Sequence, residues 1–148
     1  MSSKPPIAYV DIRVFAHATE DPQKVQTAVR NLMPDELAQT ILFETTNLTG
    51  HHGNPITLFT ARLTDKKMLA KALDKIGGGL SSLDKEQLCT DWKLHLEKGN
   101  LCLRFDKQSA FMGTFRFTQN DPVHVKIHFK NKTSEQIADL CKSSGLLP

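Results

Sequence analysis

Three short stretches gather side chains that carry chemistry. His17-Ala18-Thr19-Glu20-Asp21 sets an imidazole beside two carboxylates where a strand turns into a helix. A helix start exposes N–H groups that favour anions, and an imidazole there can move a proton near neutral pH. The bland alternative is that Thr19 to Asp21 simply cap the helix. Gly50-His51-His52-Gly53-Asn54-Pro55-Ile56 places adjacent histidines between glycines. These can be metal ligands, general bases or phosphate contacts; equally, the glycines can supply a tight strand connection with the histidines idle in solvent. As a metal site the loop is thin, since no HxH or HExxH spacing occurs and further ligands would have to come from His17, Glu20 or Asp21. Arg104-Phe105-Asp106-Lys107-Gln108 puts two cations and an amide at a strand end. Arg and Lys bind phosphate and Gln can bond a base edge or ribose, or the segment is a polar hairpin turn with Asp106 paired to Arg104 or Lys107.

A fourth feature is a pattern rather than a cluster. From Val123 to Lys130 apolar and basic residues alternate, with His124, Lys126, His128 and Lys130 on one side of an extended chain. Trp92–Glu97, Leu101–Phe105 and Phe111–Thr118 read as further alternating strands. If they form one sheet, its wet face collects Lys93, His95, Arg104, Arg116, His124, Lys126, His128 and Lys130, opposed mainly by Glu97. The charge count agrees: residues 92–132 hold eight Lys/Arg against three Asp/Glu, whereas residues 1–91 hold ten against eleven. A basic surface confined to one part of a chain of net charge +3 suits an anionic partner.

The elements that would position these groups can be read in order. Residues 7–18 alternate as a strand, with Tyr9, Arg13 and Phe15 on its polar side. Asp21 caps a helix that Pro22 begins and whose buried stripe is Val25, Ala28, Val29 and Leu32. Pro34 stops it, and Asp35 to Gln39 can add a turn. Residues 40–48 and 56–63 look extended around the histidine loop. Asp65 caps a second helix (Met68, Leu69, Ala72, Leu73, Ile76), which Gly77-Gly78-Gly79 is expected to end. Ser81 or Ser82 caps a third helix to Cys89. The four strands follow, then a last helix from about Ser134 to Lys142. The order β-α-β-β-α-α-β-β-β-β-α predicts an α+β fold: a two-layer single domain, mostly antiparallel sheet with helices on one face.

A chain of 148 residues with 39% hydrophobic and 24% charged residues is one ordinary domain, here spanning 1–148 with residues 1–6 as a flexible tail. No apolar run reaches membrane-spanning length, and no signal-peptide pattern opens the chain. The three cysteines, Cys89, Cys102 and Cys141, are odd in number and lack a CxxC pair. They read as reduced, buried or half-buried thiols in a cytoplasmic protein.

Taken together, the His17–Asp21 stretch, the Gly50–Ile56 loop and the Arg104–Gln108 segment resemble one archaeal family, described as RNA-binding and as a predicted exosome subunit. The resemblance runs from about Ile7 to Phe129. It implies a fold similar to the ribosomal protein that binds 5S rRNA, RNA as partner and exosome subunits as further partners. It supplies no catalytic residues. The expected function is therefore non-catalytic RNA binding, with neither cofactor nor metal. The candidate RNA-binding residues are His17, Gly50, His51, His52, Gly53, Asn54, Arg104, Lys107, Gln108, Arg116, His124, Lys126, His128 and Lys130. Two other readings stay open: a metal- or histidine-dependent phosphoesterase built on His17, Glu20, Asp21, His51 and His52, and a protein–protein assembly module marked by exposed apolar residues on strand edges or the last helix.

Overall fold

Strand alternation in β1 (Ile7–His17) buries Val10, Ile12, Val14 and Ala16 on one side and leaves Tyr9, Asp11, Arg13 and Phe15 on the other. The computed structural model describes residues 7–148, so the tail expected at residues 1–6 lies outside the described residues. β1 is central. It pairs antiparallel with β3 (Pro55–Leu63) on one side and β6 (Val123–Phe129) on the other. β2 (Glu44–Thr49), β4 (Leu96–Glu97) and β5 (Asn100–Phe105) complete a six-stranded antiparallel sheet in the order β2-β3-β1-β6-β5-β4.

Helices cover the side to which the apolar sets point. α1 (Pro22–Asn31) starts as expected, with the Asp21 carboxylate accepting from Gln23 N at 2.9 Å and Pro22 in the first turn. It buries Val25, Ala28 and Val29, and the short α2 (Asp35–Ala38) follows Pro34. α3 (Lys66–Gly79) starts on Asp65, α4 (Ser82–Thr90) on Ser81, and α6 (Ser134–Ser143) on a Thr133–Gln136 capping box. Their buried stripes join the sheet's Phe105, Val125, Ile127 and Phe129 in one core. Each large side chain fully buried there contributes roughly 1.5–3 kcal/mol. The α+β class and the one-sided helical layer are as the sequence predicts.

Four expectations fail, each for a local reason. Gly77, Gly78 and Gly79 do not turn the chain left-handed; they are helical, and α3 ends at Leu80 in an extended conformation. Two of these glycines are there for space. A Cβ on Gly77 would lie 2.6 Å from Ser144 O, and one on Gly79 would strike the Phe115 ring. Trp92–His95 is a 3-10 turn rather than strand, leaving only Leu96 and Glu97 in β4. Lys107 and Gln108 are not a hairpin turn: Asp106 accepts from Ser109 N (2.9 Å) and Ser109 Oγ (2.7 Å) and starts α5, Lys107–Phe111. In the supposed strand 111–118, Phe111 ends α5 and the rest is loop, touching the sheet through one bridge between Phe105 and Phe117. Its phenylalanines follow packing, not pleat: Phe115 is buried and Phe117 half-buried, but Phe111 is exposed.

The thiols divide similarly. Cys102 and Cys141 are buried, but Cys89 is exposed. Burial pushes the Cys141 thiol up to about 12 and the Cys102 thiol above its ordinary value.

Candidate nucleic-acid interface

Strand register assembles the uncovered side of the sheet into rows. Arg104 of β5 stands opposite His124 of β6, which stands opposite Arg13 of β1. The next row is Cys102, Lys126, Asp11 and Arg62, and the next Asn100, His128 and Tyr9. The result is a hollow of about 790 Å³ lined by Arg13, Arg62, His124 and Lys126 together with the carboxylates of Asp11, Glu44 and Glu97.

The rows are not uniformly basic. Arg62 is neutralised by Asp11 through a fork (Nε–Oδ1 2.7 Å, a second guanidinium nitrogen to Oδ2 2.9 Å) and its guanidinium lies 4.0 Å from the Tyr9 ring centroid. His128 stacks on Tyr9 at 4.8 Å and its Nδ1 bonds Asn100 Oδ1 at 2.6 Å. His124 has its pKa pushed below the ordinary imidazole value. Burial lowers its pKa most, and the facing Arg104, Arg13 and Lys126 lower it further against a weaker pull from Glu97. The cations of this face with no ion-pair partner among the described residues are Arg13, Arg104 and Lys126.

The expected members of the face that lie elsewhere follow from the lost strands. Lys93 and His95 sit on the 3-10 turn, where His95 Nδ1 meets Cys102 O at 3.2 Å. Arg116 is exposed in the loop after α5. Lys130 is exposed in the turn just beyond β6.

Two of the sequence clusters converge at the end of the sheet. Lys107, on the first turn of α5, has a side chain only 11% exposed. Its Nζ donates to Phe15 O (2.6 Å), Glu20 Oε1 (2.9 Å) and Asp121 Oδ2 (2.7 Å). Glu20 Oε1 also accepts from His17 N at 3.0 Å, and His17 Nε2 lies 3.1 Å from Asp121 Oδ2. Donor atoms of His17, Glu20 and Asp121 lie within 4.8 Å of one another, near enough for one cation. The lysine ammonium already holds that place, and a divalent ion would have to displace it. Burial pushes the Asp121 carboxyl up, but the hydrogen bonds and charges of Lys107 and His17 together outweigh this and hold it below its ordinary value. The backbone of Asp121 is left-handed (φ 48°), a conformation the surrounding bonds sustain.

The histidine loop remains apart from this buckle in side-chain bonding. Gly50 N donates to Asn54 O (2.7 Å) and Gly53 N to Gly50 O (2.9 Å), with Gly53 left-handed at φ 79°. His51 and His52 are exposed, their rings edge to face at 5.0 Å. Gln108 is exposed on a groove of about 510 Å³ beside α1. Leu48 on the outer strand β2 and Leu42 just before it are exposed, whereas no large hydrophobic of α6 is.

Geometry adds residues the candidate set lacked. Arg13 joins the central basic row, and Asp121 and Pro122 border a hollow at its end with Phe15. The signal for Arg13 lay in the polar side of β1; Asp121 had only a turn-like Asn120-Asp121-Pro122 to mark it.

A half-open antiparallel sheet with a basic uncovered face is a platform of the kind that meets nucleic acid. The chain belongs to a family described as RNA binding, whose profile matches residues 9–129. It is 36% identical over 127 residues to "RNA-binding protein PAB1135" of Pyrococcus abyssi, covering 82% of this chain and 80% of that one. Among solved structures, Mth689 of Methanothermobacter thermautotrophicus, a DUF54 protein, is 26% identical with a TM-score of 0.75, covering 96% of this chain and 98% of that one. AF2318 of Archaeoglobus fulgidus shares the fold at a TM-score of 0.77 and 24% identity, over 93% and 99% of the two chains. Among the described residues no helix is long and apolar enough to cross a membrane.

Proposed function

We propose that this chain is a non-catalytic RNA-binding protein whose uncovered sheet face holds RNA phosphates through Arg13, Arg104 and Lys126. The observation that carries the reading is the row Arg104–His124–Arg13 with Lys126 beside it, cations aligned by register over three strands. Guanidinium groups fit phosphate oxygens in pairs, and each neutralised phosphate releases counterions. His124, its pKa lowered by burial and by the flanking cations, can offer a ring hydrogen bond between them. Lys107 acts here as a positioning residue, since its ammonium is spent within the protein. His17, His51, His52, Gln108, Arg116, His128 and Lys130 form a second ring of candidate contacts around the face. Association with archaeal exosome subunits, a cytoplasmic setting and kinship with the ribosomal 5S-rRNA-binding fold belong to the same proposal and rest on the family resemblance.

The test is RNA affinity measured across salt concentrations for the Arg13→Ala/Arg104→Ala/Lys126→Ala variant. Loss of three phosphate contacts should flatten the log–log salt slope by about 2 for single-stranded RNA. Lys71→Ala, on the helical side, should leave it unchanged. An unaltered slope in the triple variant overturns the proposed face.

A further inference from the structure

Beyond the central basic row, the uncovered face ends in a hollow of about 420 Å³ lined by Arg13, Phe15, Arg104, Asp121, Pro122 and His124. Its size falls in the range of small-ligand sites, roughly 300–1,000 Å³. Its chemistry is mixed. Arg13 and Arg104 bring two guanidinium groups to its lining. Phe15, half-buried, and Pro122 supply apolar surface. Asp121 adds a carboxylate to the lining. Its Oδ2 is committed to Lys107 and His17, whereas Oδ1 has no partner among the described residues. The Arg13 guanidinium lies 5.6 Å over the Phe15 ring centroid, so a base stacking on that face takes the place the guanidinium now holds.

We infer that this hollow takes one unpaired nucleobase of the RNA, stacked on Phe15, with its flanking phosphates on Arg13 and Arg104 and an exocyclic amine donating to Asp121 Oδ1. The inference rests on the RNA-binding reading and narrows it to RNA with a single-stranded nucleotide. An aromatic ring and a proline face accept any base by stacking. The carboxylate accepts only, so it favours bases carrying an amine. Uracil has a single ring N–H between two carbonyl oxygens, which the carboxylate repels. Adenine, cytosine and guanine are therefore preferred to uracil. The site is positioned from within the protein: Lys107 and His17 fix the carboxylate.

The experiment compares binding of ten-nucleotide oligoadenylate, oligouridylate and their duplex by the wild-type chain and by Phe15→Leu, which keeps apolar volume but removes the stacking ring. Oligoadenylate should bind about tenfold more tightly than duplex, the contribution of one stacked base, and more tightly than oligouridylate. Phe15→Leu should erase the preference for single strand. A 2-aminopurine placed within the oligoadenylate should be quenched on binding to wild type and not to Phe15→Leu, a readout that does not depend on affinity. Equal binding of single strand and duplex, or unchanged quenching in Phe15→Leu, overturns the base site while leaving the phosphate platform standing. Failure to bind any of the three RNAs overturns both.

Discussion

Lys107 shows how a residue of binding type can be turned to internal use. Its position in a run of Arg, Asp, Lys and Gln suggests phosphate contact, yet its ammonium closes bonds to the end of β1, the start of α1 and the loop before β6. Removing one partner from a fully buried ion pair costs about 3–5 kcal/mol. Glu20 and Asp121 are partly solvated, so Lys107→Met should cost less, about 2 kcal/mol, or some 4–8 °C in Tm for a chain this size. The pH dependence follows from Asp121. Its carboxyl is held below the unfolded value, so the unfolded chain takes up the proton first as acid is added. The stabilisation is present above the ordinary carboxylate value of about 3.9 and is lost as pH falls through the lower, folded one. Thermal unfolding of wild type and Lys107→Met should therefore converge in strong acid, a difference that persists unchanged refuting the assignment. At this scale the sequence was a good guide to which residues are special and a poor one to what they touch. His17, Glu20 and Lys107 stood out by type, but their partner Asp121 lies far along the chain, and no local rule links them.

Elements whose ends are written in capping chemistry were legible. Asp21-Pro22, Asp65, Ser81 and Thr133 start helices through contacts within a few residues, so the local sequence contains the cause. Strands were legible where strict alternation coincides with a partner on each side, as in β1 and β6. The reading failed at Trp92–His95 and 111–118, where apolar spacing imitates a pleat but the backbone forms a 3-10 turn in the first and only one bridge to the sheet in the second. It failed also at Gly77–Gly79, where glycine serves close approach rather than left-handed turning. That distinction can be measured. Gly77→Ala gains helix propensity but drives a methyl group to within 2.6 Å of Ser144 O, and should destabilise by about 1–3 kcal/mol. Gly78 has nothing within 4 Å of its would-be Cβ, so Gly78→Ala should stabilise by about 0.5–1 kcal/mol. Denaturant midpoints that move in the same direction for both variants would refute the packing account.

Across the whole molecule, the uncovered side mixes Arg13, Arg104 and Lys126 with the carboxylates of Asp11, Glu44 and Glu97. Helices take one side of the sheet, and the register of β5, β6 and β1 brings Arg104, His124 and Arg13 into line on the other. Such a face can meet RNA while the helical side and the exposed edge at Leu42 and Leu48 remain available to protein. If exosome subunits are partners, the tagged chain should recover them from an archaeal extract after nuclease treatment. Recovery that disappears with the RNA would assign the association to a shared transcript instead.

By itself the sequence determined what alternation and capping encode: an α+β sheet layered with helices, a basic segment near the C-terminal strands, and the three stretches that mark the family. These follow from side-chain periodicity and from bonds spanning three or four residues, both of which a linear string contains. The tertiary structure alone decided which cations share a face. Antiparallel pairing put Arg13 beside residues more than a hundred positions away, folded Arg62 onto Asp11, and drew Lys107 into the protein. Charge spacing in three dimensions depends on strand register and on the partner each ion finds, and neither is fixed until the sheet closes.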